Sequence, residues 1–243
     1  MFLRNGGIHP SAMASCKVRR YEDSDYETVR NIFKAGVKEH EPAVFVYMLK
    51  RPTYLLVLVS AFCILLLSSK SLLLPILGVI LLVVLLRHLV TGLFNYYTAK
   101  CFNSDFKDIC HSYMESPNSC FWVAESDRCV VGIVGCYPSK EMEGCLEMVR
   151  MAVLTAYRGK GIAKVLCRTV INFACQHGYK AVILNTSDVQ VPAQKLYENI
   201  GFKKYKAKNG TLPLLSCINF MWNFTIYYYK YTIPTVIENE GHA

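Results

Sequence analysis

The sequence predicts a mixed α/β domain, a central sheet with flanking helices, interrupted by an apolar helical insert. Three observations carry that expectation. Strand and helix periodicities alternate through the second half of the chain. A short strand and an amphipathic helix precede residue 40. Between Arg51 and Arg87 the only charged residue is Lys70. The length of 243 residues suits one domain of catalytic size plus such an insert.

Residues 16–21 (C-K-V-R-R-Y) form the first strand candidate. Ser24 is a good helix N-cap, with Asp25 and Glu27 in the first turn. Val29, Ile32, Phe33 and Val37 then recur at helical spacing, so a helix is expected over 24–39. Pro42 and Pro52 punctuate the stretch after it. Residues 54–69 and 71–86 are uncharged runs on either side of Lys70. As a helix each spans about 24 Å, short of a hydrocarbon core of about 30 Å. A hairpin puts Ser68-Ser69-Lys70-Ser71 at its turn, where Lys70 can snorkel. A single tilted span buries Lys70, and a hairpin inside a soluble core is the third option. Lys50 and Arg51 before the runs, with Arg87 and Lys100 after them, favour both ends on the cytosolic side, and hence the hairpin.

A further helix is expected over 102–114. Residues 119–125 and 129–137 read as two strands joined by the turn Ser126-Asp127-Arg128, and 146–154 as a third. In the helix expected over 160–176, Ile162, Val165, Leu166, Thr169 and Phe173 share one side, and Gly178 stops it. A buried strand at 181–184 and a helix at 191–200, stopped by Gly201, come next. The aromatic and β-branched content of 202–231 is strand-like. The chain therefore divides into an extension (1–15), a first strand and helix (16–51), a membrane-embedded insert (52–92) and the remaining core (93–243).

Charge and cysteine usage exclude other classes. The net charge of +9 is spread along the chain with no dense basic run or nucleic-acid module, so no direct nucleic-acid binding is expected. Positive flanks beside an apolar window suit anionic lipid, making the bilayer a partner. The 11 cysteines include no C-x-x-C and no Cys/His set at zinc spacing, so no metal is expected and a reducing compartment is. The sequons at Asn185, Asn209 and Asn223 do not by themselves place the domain in a lumen. The polar N-terminus and the late start of the apolar run, near Tyr54, argue against a cleavable signal peptide.

One segment carries chemistry. Met151-Ala152-Val153 ends a strand, and Tyr157-Arg158-Gly159-Lys160-Gly161-Ile162-Ala163 opens a helix. Glycines there let the backbone turn tightly and aim several N–H groups one way, at the positive end of the helix dipole. Arg158 and Lys160 add charge, so the turn suits a pyrophosphate. It is neither a Walker loop nor G-x-G-x-x-G. Arg158-x-x-Gly161-x-Ala163 matches [QR]-x-x-G-x-[GA], the signature of the GNAT superfamily of N-acetyltransferases. Ala193-Gln194-Lys195-Leu196-Tyr197, running on to Gly201-Phe202, resembles the second superfamily motif, A-x-x-L-Y-x-x-x-G-F. A strand and helix, an apolar double run and C-F-W-V-A-E-S at 120–126 together resemble the camello family, membrane-bound relatives of the kidney enzyme that N-acetylates cysteine S-conjugates.

The resemblance implies the GNAT fold and direct transfer of an acetyl group from acetyl-CoA to an amine. It implies that Met151, Ala152 and Val153 pair with the pantetheine arm. It implies that Arg158, Gly159, Lys160, Gly161, Ile162, Ala163 and Lys164 hold the pyrophosphate. Tyr197 then protonates the departing thiolate, and Glu147 is the general base. Strict period-two alternation puts Glu147 on the face of Met151. Where other members carry an acid at the end of the fifth strand, this chain has Asn185, which cannot act as a base. Asp188 is a weaker candidate, and His40, His111 and His177 fit no constellation. The implied acceptor is a small amphiphilic amine such as a cysteine S-conjugate, at the endoplasmic reticulum membrane with the catalytic domain in the cytosol. A protein lysine, histone lysines included, is the alternative. A decayed regulatory domain is a third reading, which intact Arg158, Gly161, Ala163 and Tyr197 oppose.

Overall fold

The computed structural model describes residues 16–69, 71–210 and 224–234. The elements run β1 (Lys17–Arg20), α1 (Tyr26–Glu39), α2 (Glu41–Leu49), α3 (Pro52–Ser69), α4 (Leu73–Phe102), β2 (Cys120–Ser126), β3 (Cys129–Pro138) and β4 (Cys145–Val153). They continue with α5 (Ile162–Gln176), β5 (Ala181–Ser187), α6 (Val191–Ile200), β6 (Lys203–Gly210) and β7 (Phe224–Thr232). The seven strands form one mixed sheet in the order β1-β2-β3-β4-β5-β7-β6. Among the described strands only β4 and β5 pair in parallel, and α5 makes the crossover between them.

Both faces of the sheet are covered, which is why β2 reads as an unbroken apolar run. Its side chains alternate between two cores. Cys120, Trp122 and Ala124 join Leu166, Val170 and Phe173 of α5. Phe121 and Val123 join Val29, Ile32 and Phe33 of α1 together with Phe106 and Tyr113. Burying each such aliphatic side chain is worth about 1.5–3 kcal/mol.

The helical start of the chain differs in detail from the expectation. Ser24 is not the cap of α1. A 3-10 turn (Asp23–Asp25) comes first, and the Asp25 carboxylate accepts the Glu22 N–H at 3.1 Å and the Arg19 guanidinium at 2.6 and 2.8 Å. Residue 42 does not break the chain into a loop. Pro42 lies in the first turn of α2, where its missing N–H removes no helical hydrogen bond.

The apolar window forms two helices folded back on one another. At Gly78 of α4 a Cβ would collide with Leu65 Cδ1, so α3 and α4 approach closely there. Both helices present large aliphatic side chains outward, among them Leu56, Leu67 and Leu81 at 70, 83 and 68 % exposure. Lys70 lies outside the described residues, as do 1–15 and the sequon residue Asn223. Helix α4 runs without a break through residue 92 and ends at Phe102. The expected helix over 102–114 is instead the end of α4, a short connection and one π-helical turn (Cys110–Met114). Helix α2 seats the hairpin on the domain: Val44 and Met48 pack with Tyr54, Leu86 and Val90. The buried Glu41 carboxylate accepts Thr91 Oγ1 at 2.5 Å and pairs with Arg87 at 3.3 Å.

Candidate active site

Strands β4 and β5 pair at Cys145↔Ala181, Leu146↔Val182 and Glu147↔Ile183, then part. Beyond that point β5 turns to β7 alone, and β4 keeps only β3. The edge of β4 from Met148 to Val153 that faces β5 therefore has no strand beside it among the described residues. The opening is V-shaped, and Glu147 stands at its vertex.

A bulge bends β4 inside this opening. Gly135 faces Val149 while Ile133 faces Ala152, so two residues of β4, Arg150 and Met151, stand opposite Val134. Arg150 has φ +57°, a conformation costing a non-glycine residue about 1–2 kcal/mol. The bulge resets the alternation. Leu146, Met148 and Met151 join the α5 core, while Val149 and Ala152 join the α1 core. Glu147 faces the α1 side with its register partner Ile183 and with Tyr137. Glu147 and Met151 thus lie on opposite faces, because the alternation assumed for them does not survive the extra residue.

The glycine turn is built as a donor cradle. Gly159 and Gly161 have φ +76° and +82°, and Gly161 is the N-cap of α5. A Cβ at either would meet nothing within 4 Å, so glycine is there for its backbone angle and leaves open space above the loop. The backbone N–H groups of residues 159–164 find no acceptor among the described residues. An anion of pyrophosphate size fits such a set. Arg158 does not offer a free charge here. Its guanidinium is paired with the Glu39 carboxylate, with Nη2 at 2.6 Å, and its Nε donates to the Val153 carbonyl at 3.1 Å. It braces the loop against the end of α1 and the end of β4. Lys160 lies with its ammonium 4.8 Å from the Tyr157 ring centroid.

Tyr197 faces into the domain from α6, 7 % exposed, its ring against Phe202 and Tyr229. Burial pushes its phenol well above the ordinary value, and the nearby Cys167 thiol adds to this. Cys167 in turn has its Sγ 3.4 Å from Met151 Sδ. Tyr197 and Met151 of β4 thus belong to one core, on the α5 side of the sheet. A phenol raised in this way stays protonated at neutral pH. Glu147 is half-buried, and burial, with the charge of Glu141, raises its carboxyl above the usual range, making it a stronger base. Burial pushes Tyr137 beside it up to about 12, with the Glu147 charge second.

Asn185 is exposed on β5, opposite Tyr228. Asp188 is committed elsewhere: its Oδ2 accepts from the Thr225 N–H at 3.2 Å and from the Tyr47 hydroxyl at 3.3 Å. His177 stacks on Phe173, and His111 faces Glu115. Among the described residues no group of His, Cys, Asp and Glu could hold a metal ion. Two contributors escape a reading of the sequence alone. Glu39 gives no signal there, since it meets Arg158 only through the fold. Arg150 does give one: a cation inside the apolar strand C-L-E-M-V-R-M-A-V.

The family described as "Acetyltransferase (GNAT) family" matches residues 86–202. The chain is 40% identical over 223 residues to "Probable N-acetyltransferase camello" of Xenopus laevis, covering 92% of this chain and 100% of that protein. It is 39% identical over 195 residues to "N-acetyltransferase 8B" of Homo sapiens, covering 79% and 86%. Two solved structures share its fold. A GNAT acetyltransferase of Staphylococcus aureus Mu50 has TM-score 0.53 at 18% identity, over 89% of this chain and 99% of that one. A GNAT acetyltransferase of Kribbella flavida has TM-score 0.54 at 16% identity, over 91% and 100%.

Proposed function

The chain belongs to the camello family of GNAT N-acetyltransferases, and from that premise we propose that it moves the acetyl group of acetyl-CoA onto the amine of a small amphiphilic acceptor, at the endoplasmic reticulum membrane with its catalytic domain in the cytosol. The observation that carries the reading is the parted strand edge of β4, ending in a cradle of unpaired N–H groups, with the buried Tyr197 in the same core as Met151 of that edge. In this reading the N–H groups of 159–164 bind the pyrophosphate, and the strand edge at Met151, Ala152 and Val153 pairs with the pantetheine arm as an added strand. An N–H of that edge holds the oxygen on which negative charge develops. Glu147, on the opposite face at the vertex, takes the ammonium proton directly or through a water. The deprotonated nitrogen attacks the thioester carbonyl, and Tyr197 gives its proton to the departing thiolate.

The acceptor class rests on the apolar hairpin. Val189, in the loop between β5 and α6, packs on the cluster formed by α2, α3 and α4. An acceptor with an apolar tail meets helices of the same chemistry beside the site. The two helices are each long and apolar enough to cross a bilayer.

The test is CoA release by the full chain in detergent, with S-benzyl-cysteine and a lysine peptide offered separately and Tyr197→Phe as the control. The expected result is turnover of the cysteine conjugate, a kcat lowered by about 10²-fold in Tyr197→Phe, and acetyl-CoA binding within about twofold of the parent. Turnover of the peptide alone would overturn the acceptor class in favour of a protein lysine. An unchanged kcat in Tyr197→Phe would remove the tyrosine from the mechanism.

A further inference from the structure

We infer that Arg150 is a positioning residue for acetyl transfer, its guanidinium fixing the β4 bulge, and with it the free strand edge beyond, against the C-terminal end of α4. The inference rests on the reading of that edge as the partner of the thioester. A non-glycine residue at φ +57° relaxes unless its surroundings hold it. Here every arm of the guanidinium is held. Nε and Nη2 reach the two carboxylate oxygens of Asp105 at 2.8 Å each. Nη1 reaches Cys101 Sγ at 3.1 Å and the Tyr97 hydroxyl at 3.3 Å, both on α4. The Arg150 guanidinium carbon lies 5.2 Å from the Phe33 ring centroid and 5.6 Å from that of Phe106.

Asp105 is itself fixed. It accepts the Tyr113 hydroxyl at 2.5 Å and Ser104 Oγ at 2.9 Å. A two-pronged arginine–carboxylate pair sets direction as well as distance, which a point charge does not. An apolar side chain could fill the space beside Phe33 and Phe106, but it would not set the rotation of the strand. Met151 comes directly after Arg150, so a rotation at 150 displaces the N–H groups of 151–153. An oxyanion donor acts within about 2.7–3.1 Å of its target. A displacement of about 1 Å costs on the order of 10²-fold in rate.

The experiment uses the full chain in lipid nanodiscs and compares Arg150→Lys with Asp105→Asn, measuring kcat with the better of the two amines and the Kd of acetyl-CoA by calorimetry. Arg150→Lys keeps the charge and loses the fork, while Asp105→Asn keeps the shape and loses the charge. The expected result is a kcat lower by about 10- to 100-fold with Kd within about twofold, because the cradle at 159–164 is held through Arg158 and Glu39, neither of which touches Arg150. A folded variant whose kcat stays within about twofold of the parent overturns the inference. So does a fall in kcat matched by an equal rise in Kd, which marks general loosening. If Arg150→Lys does not accumulate, the same split in Asp105→Asn decides. Failure of the parent chain to bind acetyl-CoA would overturn the site reading itself, an outcome distinct from the other two.

Discussion

At the scale of single residues, the proposed mechanism gives two acid–base groups in different environments two roles. Tyr197 is buried as a neutral phenol, and Glu147 stands half-buried at the vertex of the parted strands. As a base, Glu147 works only when ionised, so the rate falls as pH falls through its pKa. Burial and Glu141 raise that pKa, so the acid limb of kcat/KM lies above the ordinary glutamate range near pH 4.3. Glu147→Gln is expected to lower kcat by at least about 10²-fold and to abolish that limb, read from initial rates across pH 5–9. A variant with full kcat and an unmoved limb would assign the proton to another group. The glycine turn and the place of Tyr197 on α6 were legible in the sequence, because motif spacing reports a backbone that must turn in one way. The face of Glu147 was not, because it depends on a bulge. Arg150 and Val149 look alike to an alternation rule, and only the pairing with β3 shows that two residues of β4 share one partner.

At the scale of elements, periodicity located most of the helices and strands, with ends displaced mostly by a residue or two, but β5 runs on to Ser187 and α4 to Phe102. It failed where a residue with a local reputation was overruled. Pro42 signals a break, yet it sits in the first turn of α2. Phe102 suggests the start of a helix, yet it ends one, because the pattern of α4 changes from aliphatic to aromatic without a structural boundary. Helix α2 meets the hairpin through an apolar cluster and through the buried Glu41 carboxylate, which takes Thr91 and Arg87 as partners. Thr91→Val removes a donor from a buried carboxylate, which costs about 1–3 kcal/mol. A lower melting temperature is expected in detergent, with Kd for acetyl-CoA unchanged once folded. An unchanged melting temperature would mean that Arg87 alone satisfies Glu41.

At the scale of the whole molecule, the sheet, its two cores and the apolar hairpin form one arrangement in which α4 belongs to both parts. Its first turns pack against α3, and its last turn, at Cys101 and Phe102, joins the α1 core. The proposed topology has a direct check. Chain made in the presence of microsomes is expected to show no shift after glycosidase, and protease added outside is expected to digest the catalytic part. A glycosidase-sensitive shift would put the domain, with Asn185 exposed on β5, in the lumen.

Helix α4 has 30 residues, a rod of about 45 Å, whereas a hydrocarbon core is about 30 Å thick. In the proposed arrangement, with Arg87 at the cytosolic flank, roughly half of the rod is left over, and the catalytic domain is mounted on that remainder. The enzyme is then a stand of fixed height rather than a tethered float. In that arrangement its site would patrol one thin layer above the lipid and meet acceptors by lateral diffusion. Turnover of an apolar acceptor would follow the number of molecules per area of membrane, so adding inert lipid at constant total acceptor would slow the reaction by dilution in two dimensions.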